Sequence, residues 1–210
     1  PNIINLKNNL ANGVRKASDF LMALQLTGAA KKDSLTNLQI RLPALVIGGG
    51  LTAIDTATEL LAYYPRQILK FHEKYKILLK TESKKFVTEN WDDEEKIIAK
   101  EFLAHAKEII AERELAKKEK RPVKYLSLLR KWGGVKILYR KKTQESPAYR
   151  LNHEELHKAF EEGIEFVENI TPKEVKLDNF DSAEFLITQN QRKDEIIFPA
   201  RAILIAAGTK

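Results

Sequence analysis

The residues best suited to chemistry form a glycine-rich run, Gly48-Gly49-Gly50-Leu51-Thr52-Ala53. It follows the apolar run Leu45–Ile47 and precedes a segment with helical spacing, which is the context that a dinucleotide-binding G-x-G-x-x-A fingerprint requires. Gly48 permits the tight turn, Gly50 lets the backbone approach a pyrophosphate, and Ala53 lets the helix pack on the strand. The N–H groups that open the helix complete a phosphate cradle. The alternative is a glycine-rich turn without a ligand.

A basic triplet, Arg140-Lys141-Lys142, ends the apolar run Val135–Tyr139. In a dinucleotide fold this strand end meets the adenosine ribose, where an acid selects NAD and basic groups accommodate the 2′-phosphate of NADP. An arginine can bind a phosphate through two parallel hydrogen bonds, and a lysine adds a point charge. No acid occurs before Glu145. The pattern predicts NADP(H), and the alternative is a solvated basic loop.

The triplet lies much farther from the glycines than the roughly 20 residues that are usual. Residues 66–131, a highly charged and helical stretch, account for the excess as an insertion. We therefore expect an NADP(H)-binding domain formed by residues 1–65 and 132–210, with a helical insertion at 66–131. The insertion is interpreted as a hairpin packed on the domain through Phe102, Leu103, Ile109 and Trp132. The alternative is a non-catalytic nucleotide-binding domain whose insertion docks a partner protein.

Hydrophobic periodicity predicts the remaining elements. Four buried strands are expected near Leu45–Ile47, Val135–Tyr139, Ile164–Val167 and Ala202–Ala206. Helices are expected at Ser18–Leu26, from Thr52 until Pro65 stops it, from Asp92 to Pro122, at Tyr125–Trp132 and at Asn152–Glu162. Short alternating strands are expected at Lys173–Leu177, Ala183–Thr188 and Glu195–Phe198. The fold class is α/β: a Rossmann-like, three-layer NAD(P)-binding domain with a parallel sheet, an antiparallel β segment and a long charged helical insertion.

Other chemistry has weaker support. His153 and His157 lie in H-E-E-L-H, which formally matches the zinc motif H-E-x-x-H. A zinc site needs a third ligand, and none is evident, so we interpret this as a polar helix face and predict no metal site. The chain has no cysteine, which excludes disulfides and thiolate metal sites within it.

The net charge is +7, but 36 basic residues are interspersed with 29 acidic ones. Nucleic acid is not an expected partner, because the basic stretch at 117–121 lacks interleaved aromatic residues. No apolar run approaches the roughly 18–20 residues that span a bilayer, so no membrane partner is expected and the cytoplasm is the default location. Because the chain lacks a starting Met and ends just after Ala206-Ala207-Gly208, we expect a piece of a longer protein.

Several segments, in order, resemble the small subunit of glutamate synthase and related FAD-dependent pyridine nucleotide-disulfide oxidoreductases. Residues 48–55 resemble the GGGNTAxD loop, 139–148 resemble YRRTREEMPA, and 161–166 resemble EEGVEF. Ala206-Ala207-Gly208 resembles the closing A-x-G, and Ala17-Ser18-Asp19-Phe20-Leu21 resembles the segment that leads into the nicotinamide half. Leu51 stands where the family has Asn, and Lys141 stands where it has a second Arg.

The resemblance implies hydride transfer from NADPH to FAD, in which the cofactors carry the chemistry and no side chain is catalytic. Gly48, Gly49, Gly50, Leu51, Thr52 and Ala53 would hold the pyrophosphate. Arg140, Lys141 and Lys142 would hold the 2′-phosphate, and Ala207 and Gly208 would let the nicotinamide approach the flavin. FAD would bind another part of the same polypeptide, so this chain alone would be inactive. A larger synthase subunit or an iron–sulfur acceptor would be a partner.

Overall fold

The structure, a computed structural model, describes residues 5–207. The strands are β1 (Val14–Lys16), β2 (Ala44–Ile47), β3 (Val135–Leu138), β4 (Glu165–Val167), β5 (Thr171–Leu177), β6 (Ala183–Gln189), β7 (Glu195–Pro199) and β8 (Ala202–Ile205). The helices are α1 (Ala17–Leu26), α2 (Leu51–Thr81), α3 (Lys84–Thr88), α4 (Asp93–Lys118), α5 (Tyr125–Lys131) and α6 (Pro147–Glu161), with a 3₁₀ turn at Thr143–Glu145.

A five-stranded sheet of order β1-β8-β2-β3-β4 forms the centre, and every neighbouring pair in it is parallel. Helices connect β2 to β3 and β3 to β4, whereas the antiparallel sheet β5-β6-β7 connects β4 to β8. The predicted α/β, Rossmann-like class is therefore confirmed. Sequence patterning missed β1, because a three-residue strand with two basic residues, Arg15 and Lys16, contains no apolar run.

Side chains on the central strands alternate between two cores, as the pleat of a strand requires. One set packs with the helices: Ala44, Val46, Val135, Ile137, Ala202 and Leu204. The other set packs with the antiparallel sheet: Leu45, Ile47, Leu138 and Ile203. Both faces of the sheet are thus covered, which explains why β2 and β8, at its centre, are apolar at every position. The result is a helical layer, a parallel sheet and an antiparallel sheet.

Helix α2 does not stop at Pro65, and this prediction is wrong. The helix continues to Thr81 with Pro65 inside it. A proline within a helix removes a hydrogen bond and costs about 3 kcal/mol. Side chains on both sides of it are completely or almost completely buried, including Tyr63, Tyr64 and Ile68. Their burial outweighs the local cost, since large buried side chains contribute about 1.5–3 kcal/mol each.

Helix α6 begins at Pro147, five residues before the predicted start at Asn152. Ser146 caps it by accepting a hydrogen bond from the Tyr149 amide at 3.1 Å, and Pro147 occupies the first turn, where a missing N–H costs nothing. Asn152 has non-helical angles (φ −156°, ψ 77°) and marks a kink. Its side chain accepts from the Glu155 amide, so the predicted start coincides with the kink.

The helical insertion packs against the domain core. Phe102 and Ile109 of α4 are each 1% exposed and belong to the same hydrophobic cluster as the sheet. Trp132 is also buried, whereas Leu103 is half-buried. Asp92 and Glu95 form a reciprocal capping box that fixes the start of α4. One face of α4 is thus buried against the core. No helix between residues 5 and 207 is long and apolar enough to cross a membrane.

Candidate nucleotide-binding site

The predicted site segments meet at one edge of the parallel sheet, because the carboxyl ends of parallel strands lie together. The Gly48 amide, after β2, donates to the Leu138 carbonyl of β3 at 3.1 Å. The Ala206 amide, after β8, donates to the Ile47 carbonyl at 2.8 Å. The chain passes from β2 to β3 on one side of β2, while β8 lies on its other side. The carboxyl ends of β2 and β8 therefore flank a switch point in the strand order, the place at which open α/β sheets bind ligands.

The three glycines have different surroundings. A Cβ at Gly48 would lie 2.5 Å from the Ala206 carbonyl oxygen, so this glycine allows β2 and β8 to end close together. A Cβ at Gly49 would lie 2.5 Å from ring carbons of Tyr139. A Cβ at Gly50 would meet nothing within 4 Å. Neighbouring atoms therefore exclude a side chain at Gly48 and Gly49, whereas the space that a Cβ would enter at Gly50 is open.

The start of α2 presents its amides to that space. Gly50 is the N-cap with extended angles (φ −94°, ψ 175°), and within residues 5–207 no side chain caps it. The first turn also carries no acidic residue. Ala53, fully buried, holds the helix against the sheet, as predicted from the fingerprint. Leu51 and Thr52 supply the first amides, which have no partner inside the helix, so the positive end of the dipole favours an anion here.

Asp55 lies one turn further along α2 and faces a groove between α2 and α6 of about 340 Å³. Glu59, Glu155 and Glu162 also line the groove, together with one basic residue, Lys158, so that carboxylates predominate there. Partial burial, and to a lesser extent the charge of Glu155, raise the pKa of the Asp55 carboxyl. The acidic groove is therefore unsuited to a phosphate and is separate from the cradle at Gly50.

The loop that follows β3 contains Arg140, Lys141 and Lys142, and all three are exposed. The loop is tied to the end of β4: the Asn169 amide donates to the Lys141 carbonyl at 3.2 Å, and the Thr143 amide donates to a Glu168 carboxylate oxygen at 2.7 Å. Hydrogen bonds from Thr143, with a smaller effect from the Lys142 charge, lower the pKa of Glu168. The basic side chains are thus presented at the same sheet edge as the glycine loop.

Sequence reasoning missed two contributions to this edge. The Ala148 amide donates to the Gly49 carbonyl at 3.0 Å, so the start of α6 supports the glycine loop directly. Glu168 follows β4 as Arg140 follows β3, and the rule that parallel strands end together could have identified it. Ala207 follows β8 beside the loop and is partly exposed, whereas the predicted contact Gly208 lies outside the described residues.

The histidines of H-E-E-L-H, His153 and His157, lie exposed on α6. Between residues 5 and 207, no group of three or more His, Cys, Asp or Glu side chains is arranged to hold a metal ion.

No protein-family model matches this chain. An uncharacterized protein of Rickettsia prowazekii (strain Madrid E), RP006, is 42% identical over 191 residues, which are 90% of this chain and 24% of that protein. The chain therefore spans about a quarter of the length of this curated relative.

Similar solved structures include the thioredoxin reductase of Lactococcus lactis, with 16% identity and a TM-score of 0.39 over 79% of this chain and 31% of that one. The bacillithiol disulfide reductase of Staphylococcus aureus has 12% identity and a TM-score of 0.35 over 79% of this chain and 28% of that one. Because these TM-scores are low, the fold assignment rests on the strand order of the central sheet. Neither protein is a glutamate synthase, and that resemblance stays a prediction.

Proposed function

We propose that this chain is the NADP(H)-binding domain of a flavin-dependent oxidoreductase that passes hydride from NADPH to FAD. The observation that carries the proposal is the open space at Gly50, at the uncapped start of α2 and at the sheet's switch point. This combination suits a pyrophosphate, because the backbone can approach it closely and the helix dipole stabilises its charge. The basic strand end at Arg140 supplies the second half of a dinucleotide site.

Each part of the chain has a positional task in this proposal. The Gly50 backbone and the Leu51 and Thr52 amides hold the pyrophosphate, and Arg140 with its neighbouring lysines holds the 2′-phosphate. NADPH supplies the hydride, and the protein supplies its orientation. Ala207, a small residue after β8, leaves room beside the sheet edge for a nicotinamide ring.

The proposal extends to partners. Only one strand–glycine–helix unit occurs between residues 5 and 207, at β2 and α2, so FAD is assigned to another part of the same polypeptide. A synthase subunit or an iron–sulfur protein is proposed as the electron acceptor, by resemblance to the glutamate synthase small subunit.

Calorimetry with NADPH and NADH tests the proposal. NADPH should bind about tenfold more tightly or better, because a hydrogen bond to a charged group contributes about 1.5–3 kcal/mol. Gly50→Val should abolish binding of both coenzymes while the fold, followed by circular dichroism, is retained, because the added side chain enters the open space. Absence of binding, or a preference for NADH, would refute the proposal.

A further inference from the structure

The helical insertion ends in an exposed tip, residues 76–86, which comprises the last turns of α2 and the start of α3. Every residue from 76 to 86 is exposed. Consecutive residues of a helix point in different directions around its axis, so this end of α2 projects from the domain and is not packed on it. Since α2 is 31 residues long, the tip lies roughly 45 Å along the helix from the glycine loop.

Large apolar side chains make up much of the surface of the tip. Their exposed fractions lie between 38% and 57%, and they are Ile77, Leu78, Leu79 and Phe86. The first three are consecutive, so at about 100° per residue they cover an arc of about 200° around α2. Contiguous apolar surface of this kind is typical of a site that contacts another protein or a membrane.

The tip is also strongly basic. It contains one acid, Glu82, and four lysines, Lys76, Lys80, Lys84 and Lys85. Within residues 5–207, none of these four ammonium groups forms an ion pair with a carboxylate. Lys76 and Lys80, four residues apart, share the side of α2 that the apolar arc leaves free. The end of α2 is therefore amphipathic, with an apolar arc bordered by unpaired positive charges.

We propose that the tip binds peripherally to the surface of an anionic phospholipid membrane. Four to eight basic residues on an amphipathic helix are typical of segments that contact acidic lipids, and each lysine near such a surface strengthens binding by about fivefold. The apolar arc enters the boundary between headgroups and acyl chains, and the long lysine side chains at its borders reach the lipid phosphates. The aliphatic arc distinguishes this surface from one for nucleic acid, which is bound through basic groups and aromatic rings.

Peripheral binding requires no spanning segment, because the helix lies in the headgroup region. It is therefore compatible with the finding that no helix between residues 5 and 207 can cross a membrane. The expectation that a membrane is not a partner rested on the lack of a spanning run alone, and the exposed tip is a reason to revise it.

Cosedimentation of the chain with lipid vesicles tests the proposal. Vesicles made of phosphatidylcholine and phosphatidylglycerol in equal parts should pellet the chain, whereas vesicles of phosphatidylcholine alone should leave it in solution. Binding to the acidic vesicles should weaken by about tenfold or more between low and high salt, because salt screens the attraction between the lysines and the lipid.

Two variants separate the basic from the apolar contribution. Lys76→Gln combined with Lys80→Gln should weaken binding to the acidic vesicles by about tenfold or more, since each lysine contributes about fivefold. Leu78→Ser should weaken it several-fold, because less apolar surface enters the bilayer. All three side chains are exposed, so circular dichroism should show an unchanged fold.

Matched controls lie at the opposite end of α4. Leu115 is 46% exposed, close to the 48% of Leu78, and Lys117 and Lys118 are exposed lysines. Leu115→Ser, and Lys117→Gln combined with Lys118→Gln, remove the same groups without altering the tip. Each control should change vesicle binding by less than about twofold, a difference expected from net charge alone.

Three results would overturn the inference. A chain that stays in solution with both kinds of vesicle has a tip that contacts no membrane, as expected if it docks an acidic protein. Loss of binding in the lysine variant with no effect of Leu78→Ser would indicate a site for polyanions such as nucleic acid. Equal losses in the variants and their controls would show that the tip has no special role. NADPH affinity, measured by calorimetry, should be the same in every variant, and its absence in the wild type would refute only the proposed function.

Discussion

The ring of Tyr139 packs directly against the backbone of Gly49. A Cβ at position 49 would lie 2.5 Å from both Cδ2 and Cε2 of the ring, closer than real Cβ contacts allow. Phe166 also packs edge-on against this ring, with 6.0 Å between centroids. The middle glycine of the loop is therefore explained by an internal contact with Tyr139, the residue that follows β3.

This contact predicts that a substitution at Gly49 mainly lowers stability, whereas one at Gly50 mainly weakens coenzyme binding. Gly49→Ala should lower the free energy of unfolding by about 1–3 kcal/mol, the usual cost of overpacking. Gly50→Ala should lower it by less than about 1 kcal/mol, the cost of a poorer N-cap, yet weaken NADPH binding. Urea denaturation and calorimetry on both variants provide the measurement. Equal losses of stability would contradict the distinction drawn between the two glycines.

The packing of the helical insertion predicts different effects on stability for substitutions at a buried and at an exposed phenylalanine. Phe102 is almost fully buried and meets Tyr64 and Phe71 edge-on, with ring centroids 6.2 and 5.8 Å away. Phe102→Ala should therefore destabilise the chain by about 3–5 kcal/mol. Phe86 of α3 is exposed, and Phe86→Ala should change stability by no more than about 0.5 kcal/mol. A small effect of Phe102→Ala in urea denaturation would show that the insertion is not coupled to the core.

His105 predicts a pH dependence of stability. Its Nδ1 lies 2.7 Å from the Tyr64 hydroxyl, and its ring stacks on Trp132 with 4.1 Å between centroids. Burial lowers the pKa of His105, and repulsion from Lys131 adds to this, while Glu101 and Glu108 oppose it. Burial also raises the pKa of Tyr64, so the hydroxyl remains a donor and the neutral imidazole accepts.

The direction in which stability changes with pH follows from the lowered pKa of His105. The unfolded chain binds this proton near its ordinary pKa of about 6.5, whereas the folded chain resists it. The contribution of His105 to stability is complete above pH about 6.5 and declines as the pH falls, by at most about 1.4 kcal/mol per unit. The difference between wild type and His105→Asn, which keeps an acceptor for Tyr64, isolates this effect from that of His72, whose pKa is also lowered. His157→Asn is the control, and a pH-independent difference would contradict the prediction.

The one strand–glycine–helix unit within residues 5–207, which we propose binds NADP(H), predicts the behaviour of the purified chain. It should bind NADPH, show no flavin absorbance, and lack NADPH oxidase or diaphorase activity, because no acceptor is held at the nicotinamide. Absorbance spectroscopy and dye reduction provide the measurements. A yellow preparation, or dye reduction at ordinary enzymatic turnover, would show that the chain contains more of the catalytic unit than proposed.

The sequence by itself determined the elements with strong local patterns. Continuous apolar runs identified β2 and β8, since strands buried on both faces are apolar throughout, and β3 was identified by a run that only Lys136 interrupts. Alternation identified β5 to β7. The G-x-G-x-x-A spacing located the loop between β2 and α2. These features depend on neighbours within a few residues, so they can be read without knowing the rest of the chain.

Tertiary structure decided what depends on distant partners. Pro65 predicts a helix end locally, but burial of Tyr63, Tyr64 and Ile68 carries α2 through it. The short strand β1 exists because Val14–Lys16 pairs with β8, almost 190 residues away along the chain. The pairing of Lys141 with Glu145 is visible only once the 3₁₀ turn brings the two side chains together. Burial, strand pairing and ion pairing are properties of residues brought together by folding, and local propensity contains no term for them.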